Sequence, residues 1–133
     1  EAMNRQAIVA ELAEALIQRQ WFVTCAESCT GGGIATALTD MAGSSGWFDR
    51  AFVTYSNAAK REMLGVSATT LERHGAVSRA TVTEMAQGAL ARSRAQLSVA
   101  VSGIAGPGGG SPGKNQQKRL TRLQQLTCAV KHR

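Results

Sequence analysis

Apolar residues recur along this chain in two rhythms. Over 4–19, Ile8, Leu12, Ala15 and Leu16 share one face at helical spacing, with Glu11, Glu14, Gln18 and Arg19 mostly elsewhere, which predicts an amphipathic helix. Trp21, Phe22, Val23 and Cys25 form a short apolar run that reads as a strand. A helix is predicted over 31–41, starting in a glycine turn and turning Ile34, Ala37, Leu38 and Met41 inward. Residues 51–55, within the stretch 48–55, predict a second strand, and 97–101 a third.

Three short helices are punctuated by their caps. Ser56 or Asn57 opens one that runs through 60–64 and stops at Gly65, and Ser67 opens another over 68–73. Ser78 begins a longer one whose apolar face is Val82, Met85, Ala86, Ala89 and Leu90. Helices alternating with short apolar strands predict an α/β fold, a single-domain layered sheet covered by helices. Strand order is not legible. After residue 113 the pattern changes: Leu120, Leu123, Leu126 or Thr127, and Val130 fit a helical stripe among Lys and Arg, read as a peripheral basic helix or a frayed extension. Three strands are few for a doubly covered sheet, so a further strand is expected from another subunit or is absent. Residues 1–113 thus form the expected domain and 114–133 an atypical basic C-terminal tail.

Charge sharpens that division. The formal net charge is +6, yet residues 1–113 hold nine basic and nine acidic side chains, and the whole excess comes from Lys114, Lys118, Arg119, Arg122, Lys131 and Arg133. The body therefore gives no case for nucleic-acid binding, and any such association would run through the tail with a strong salt dependence. No apolar run approaches the roughly 18 residues of a membrane span, and no membrane partner is expected. Three cysteines, Cys25, Cys29 and Cys128, show no framework spacing, which predicts a reducing, cytoplasmic setting. Cys25 and Cys29 lack two further soft ligands, so no metal is expected.

The candidate chemistry lies in two glycine-rich bends, Ala26-Glu27-Ser28-Cys29-Thr30-Gly31-Gly32-Gly33 and 102–113, each following an apolar run. Such bends expose backbone N–H groups with little side-chain bulk, as a site for an anionic or carbonyl-containing small molecule requires. Ser28 stands where a strand ends and a helix opens, a place for a nucleophilic hydroxyl; the plainer reading is a cap or turn former. The bend is neither a Gly-x-Ser-x-Gly elbow nor a phosphate-binding P-loop. A serine needs a base, and the imidazoles His74 and His132 lack a convincing acidic orienter. Lys60 follows Tyr55 by five residues across a strand-to-helix turn, so an amine of lowered pKa and a phenol could reach the same sheet edge. The plainer readings are a solvated helix lysine and a half-buried aromatic. Glu27 is a candidate to orient Lys60 or an amide substrate, or to cap a backbone N–H. Thr30 and Gly31 are candidates for the oxyanion side, Asn57 for a substrate contact or a cap, and Cys29 is a rival nucleophile.

Taken together, the first bend, Gly43-Ser44-Ser45-Gly46-Trp47-Phe48, Val53-Thr54-Tyr55-Ser56-Asn57-Ala58-Ala59-Lys60, His74-Gly75-Ala76-Val77-Ser78 and Ser102-Gly103-Ile104-Ala105-Gly106-Pro107-Gly108-Gly109-Gly110 resemble the CinA C-terminal domain family, also called the nicotinamide-nucleotide amidase family. The resemblance runs to about Gly113. It implies an amidohydrolase that converts nicotinamide mononucleotide to nicotinate mononucleotide and ammonia without a cofactor. Ser28 would be the nucleophile, assisted by Tyr55 and Lys60. Ser102, Gly103, Gly106 and Gly108 would border the nucleotide and seat its phosphate. The family continues past this point with two strands and a terminal helix, which 114–133 does not match, so at least two strands are expected to be missing and self-association to a homo-oligomer is expected. The alternative is a nucleotide-binding or interaction protein that has lost turnover.

Overall fold

The structure is a computed structural model and describes residues 4–104 and 124–131. Helix α1 (Arg5–Arg19) leads into β1 (Val23–Glu27), α2 (Gly33–Thr39), a single 3-10 turn at Ser44–Gly46 and β2 (Phe48–Val53). Next come α3 (Asn57–Leu64), α4 (Ala68–His74), α5 (Arg79–Ala91), β3 (Leu97–Gly103) and β4 (Gln124–Val130). The caps fall where the hydroxyls predict them. Ser56, Ser67 and Ser78 each accept a hydrogen bond from the backbone N–H three residues on, opening α3, α4 and α5. Gly65 takes the left-handed conformation that ends α3, with φ +73.

The sheet order is β2-β1-β3-β4. β1 pairs in parallel with both β2 and β3, and β3 pairs antiparallel with β4. Every residue of β1 is buried, as befits a strand with a neighbour on each side and helices on both faces. Side chains alternate across it. Val23 joins Val9, Ala13, Leu16, Leu38 and Trp47 in a core under α1 and α2. Ala26, with Ala100 of β3, joins Leu64, Val66, Val82, Met85, Ala86 and Ala89 in a second core under α3 and α5. The α/β layering expected from the sequence is therefore the fold observed.

The tail reading needs correction. Residues 124–130 form a strand, not a helix, paired with β3 from Leu97↔Val130 to Gly103↔Gln124. One strand after residue 113 is thus present. Ala129 packs against the α5 core, while Leu126, Cys128 and Val130 lie on the other face, with Leu126 66% exposed. The helical spacing of the leucines is real in the sequence. The unpaired edge of β3 presents a row of N–H and C=O groups, and satisfying them decides the outcome for this stretch.

The packing of α3 on α5 is tight enough to require glycine at one position. A Cβ on Gly88 would stand 2.0 Å from the carbonyl oxygen of Leu64. We expect Gly88→Ala to destabilise the protein by about 1–3 kcal/mol, read from denaturant midpoints, because backbone must move to relieve the overlap. Since α3 carries Lys60, the same change should displace that amine.

Candidate active site

Three strand ends meet at one edge of the sheet. Ser28 follows β1, Thr54 and Tyr55 follow β2, and Ser102 and Gly103 close β3. In an open α/β sheet this is the expected place for a ligand, where helices leave toward opposite faces beyond the carboxyl ends of neighbouring strands. A cavity of about 490 Å³ occupies it, within the range usual for small-molecule sites. Ser28, Tyr55, Asn57, Lys60, Ser102 and Gly103 all line this cavity.

Glu27 is fully buried and shapes the turn that follows it. Its Oε1 accepts hydrogen bonds from Thr30 Oγ1, from Gly32 N at 3.1 Å and from Ile34 N at 3.1 Å, and its Oε2 accepts one from Ala35 N at 2.8 Å. Gly32, the residue before α2, has no capping side chain, so Glu27 caps the helix from five residues upstream. Gly31 and Gly32, at φ +59 and +98, supply the left-handed steps that bring these N–H groups round to it. Burial by itself would raise the Glu27 carboxyl. The hydrogen bonds from Thr30, Ala35, Ile34 and Cys25 outweigh it and hold the group below the ordinary carboxylate range. The Cys25 thiol, by contrast, is pushed up to about 12 by burial and then by the Glu27 charge, which leaves it unreactive.

Alternation along the strand sends Ser28 to the face opposite Glu27. Its N–H donates to Val101 O at 3.1 Å, and its side chain is only 5% exposed. Lys60 reaches it from the first turn of α3. Lys60 is 1% exposed, and its Nζ lies 2.9 Å from Ser28 Oγ, 3.1 Å from Thr54 O and 3.1 Å from Tyr55 O. Among the described residues no carboxylate pairs with this amine. Burial lowers its pKa, with the neighbouring Cys29 opposing the shift. In the neutral form two N–H groups serve the two carbonyls, and the lone pair faces the Ser28 hydroxyl, which donates to it.

The remaining candidates divide. Capping of α3 falls to Ser56, which leaves the Asn57 side chain to the cavity. Tyr55 lines the cavity, but its link to Lys60 is its backbone carbonyl, and the residue is 78% exposed. Glu27, Thr30 and Gly31 stand beneath or beside the turn rather than on the cavity wall, and Glu27 makes its bonds to the turn, not to Lys60. Gly106 and Gly108 lie outside the described residues. Cys29 is on the wall, half-buried, without a hydrogen bond to Lys60 among the described residues. His74 lines a different hollow, with Ser78 and Arg79, so it is not a base for Ser28. Ala76, Val77 and Ile104 complete the wall. Sequence reasoning did not single them out as site residues, although all three sit inside the motifs that carried the family resemblance. Among the described residues no cluster of His, Cys, Asp or Glu is placed to hold a metal, and no helix is long and apolar enough to cross a membrane.

The buried Ser28 hydroxyl and Lys60 amine thus meet within hydrogen-bond distance beyond the carboxyl ends of the three parallel strands, an arrangement in which a hydroxyl and a base can act together. The CinA C-terminal domain family matches residues 5–116, and the chain belongs to that family. It is 64% identical over 104 residues to the nicotinamide-nucleotide amidohydrolase PncC of Enterobacter agglomerans, a match covering 78% of this chain and 63% of that protein. It is 58% identical, with the same coverage, to the protein of that name from Escherichia coli K12. The match therefore spans a little under two thirds of the length of these curated relatives. Among solved structures, the competence/damage inducible protein CihA of Agrobacterium tumefaciens superposes with a TM-score of 0.84 at 49% identity, covering 97% of this chain and 75% of that one.

Glu27 sets a direct test of the turn. Glu27→Ala should cost roughly 2–4 kcal/mol, since it strands buried N–H donors. The wild type should also lose stability as pH falls from above 4.5 through the depressed pKa of Glu27, because the unfolded chain takes up the proton first. Urea midpoints measured down an acid series should show that loss shallower in Glu27→Gln.

Proposed function

We propose that this chain is a serine amidohydrolase that acts on the carboxamide of a nicotinamide nucleotide, with nicotinamide mononucleotide as substrate and nicotinate mononucleotide and ammonia as products. The observation that carries the reading is the 2.9 Å contact between Lys60 Nζ and Ser28 Oγ on the wall of a cavity of suitable size. The printed names of the relatives supply the substrate class.

Neutral Lys60 takes the proton of Ser28 as Oγ attacks the amide carbon. The resulting ammonium passes that proton to the departing nitrogen, so ammonia leaves and an ester remains on Ser28. Lys60, neutral again, takes a proton from the water that attacks the ester and gives it to Ser28 Oγ as the ester bond breaks, and the acid product leaves as carboxylate after losing its proton to solvent. The N–H group of Cys29, which is on the cavity wall and has no backbone acceptor among the described residues, is the donor best placed for the tetrahedral oxyanion. The carbonyls of Thr54 and Tyr55 orient the amine, and the exposed Tyr55 phenol stands at the cavity mouth, where it meets the leaving group or the nucleotide. Asn57 and Gly103 contact the nucleotide from the wall. The tail offers one ground for a second reading, a nucleotide-binding protein without turnover: the family match ends at residue 116. Calorimetry showing ligand binding without ammonia release would favour it.

Ser28→Ala and Lys60→Met should each lower ammonia release from nicotinamide mononucleotide by at least about 10³-fold, and the double variant should be no worse than either alone, because the two act as a unit. In the wild type kcat/KM should rise with pH as Lys60 loses its proton, along a limb placed below the usual lysine value of 10.5. Equal rates for wild type and Ser28→Ala would remove this serine from the chemistry.

A further inference from the structure

The parallel register of β1 and β3 pairs Glu27 with Val101, which sets the next residues, Ser28 and Ser102, side by side at the strand ends. Both point toward the face covered by α3 and α5, the face that Ala26 and Ala100 share two residues earlier. Ser102 is fully buried, and its Oγ has no hydrogen-bond partner among the described residues. A buried hydroxyl without a partner is uncommon and calls for a reason. Here it lies on the wall of the catalytic cavity. Sheet order fixes what stands on each side. Lys60 hangs from the carbonyls that follow β2, Ser28 follows β1, and Ser102 ends β3, so the nucleophile has the amine on one flank and the orphan hydroxyl on the other.

We propose that Ser102 is a substrate-contacting residue whose hydroxyl hydrogen-bonds the reacting carboxamide on the side of Ser28 away from Lys60. This assigns Ser102 to the reacting end of the substrate and not to its phosphate, and it rests on the amidohydrolase reading. The hydroxyl accepts an N–H of the amide, which fixes the plane of the group so that its carbon faces Ser28 and its oxygen faces the backbone of Cys29. Without substrate the hydroxyl has no partner among the described residues, so the site carries a polar group that substrate satisfies. Ser98 provides the contrast. It is equally buried and unpartnered on the same face of the same strand, but it lies outside the cavity lining.

The test compares wild type, Ser102→Ala, Ser102→Thr and Ser98→Ala for thermal midpoint and for ammonia release from nicotinamide mononucleotide. Affinity for the same nucleotide is measured by calorimetry in a Ser28→Ala background, with and without Ser102→Ala. Ser102→Ala should melt no lower than wild type, since it removes an unpaired polar group, yet lose about 10- to 100-fold in kcat/KM. Ser102→Thr should recover most of that loss, and Ser98→Ala should turn over like wild type. A structural role would instead lower the melting point along with activity. If wild type turns over and Ser102→Ala does so equally well, the Ser102 assignment falls and the hydrolase reading stands. If wild type binds but does not turn over, the hydrolase reading falls, and a loss of about tenfold or more in affinity on adding Ser102→Ala upholds the contact while equal affinity overturns it. If nicotinamide mononucleotide neither reacts nor binds, both fall.

Discussion

A carboxylate placed out of reach of water must find its hydrogen bonds among the groups around it, and in this protein Glu27 finds them in the turn that it begins. Four donors from Thr30, Gly32, Ile34 and Ala35 converge on its two oxygens. This requirement bends the chain through two left-handed glycines, starts α2 and fixes where β1 ends. Because neighbouring side chains on a strand point to opposite faces, the same anchoring turns Ser28 into the cavity. The residue before Ser28 thus does its work on the far side of the sheet.

The second constraint is the position of Lys60. Its amine is held by two carbonyls at the end of β2 and by a hydroxyl at the end of β1, so it reports the relative placement of two strands. Ser56 sets where α3 begins, and Gly88 lets α5 approach the end of α3 closely enough to hold it. A capping hydroxyl, a missing methyl group and a parallel strand pair each limit how far Lys60 Nζ can stand from Ser28 Oγ.

Much of this was legible in the sequence. The serines ahead of α3, α4 and α5 and the glycine after α3 mark element ends through local chemistry, and local chemistry is what a sequence displays. Ser28, and Lys60 with Tyr55, were legible as candidates because they sit at strand-to-helix junctions, and the family resemblance joins the three. The structure brings them together in the cavity, with Asn57, Ser102 and Gly103 on the same wall. Three things were not legible. Leucines at three- and four-residue spacing near the end of the chain satisfy a helical stripe and so suggest a peripheral helix or a frayed extension, while the need that makes 124–130 a strand belongs to the open edge of β3, some twenty or more residues away. The contribution of Tyr55 through its carbonyl has no signature in side-chain identity. Glu27 had three competing roles until its burial left only the cap.

The burial of the Lys60 amine links two properties of the molecule that are usually in tension. Burial depresses its pKa below the usual 10.5, so there is a window in which the unfolded chain holds this proton and the folded chain does not. Across that window stability rises with pH. The form of the amine that can accept a proton from Ser28 is therefore also the form the interior tolerates best. If Ser28 and Lys60 act as proposed, the conditions that arm the pair also consolidate the fold around it, and acidification weakens both through a single protonation.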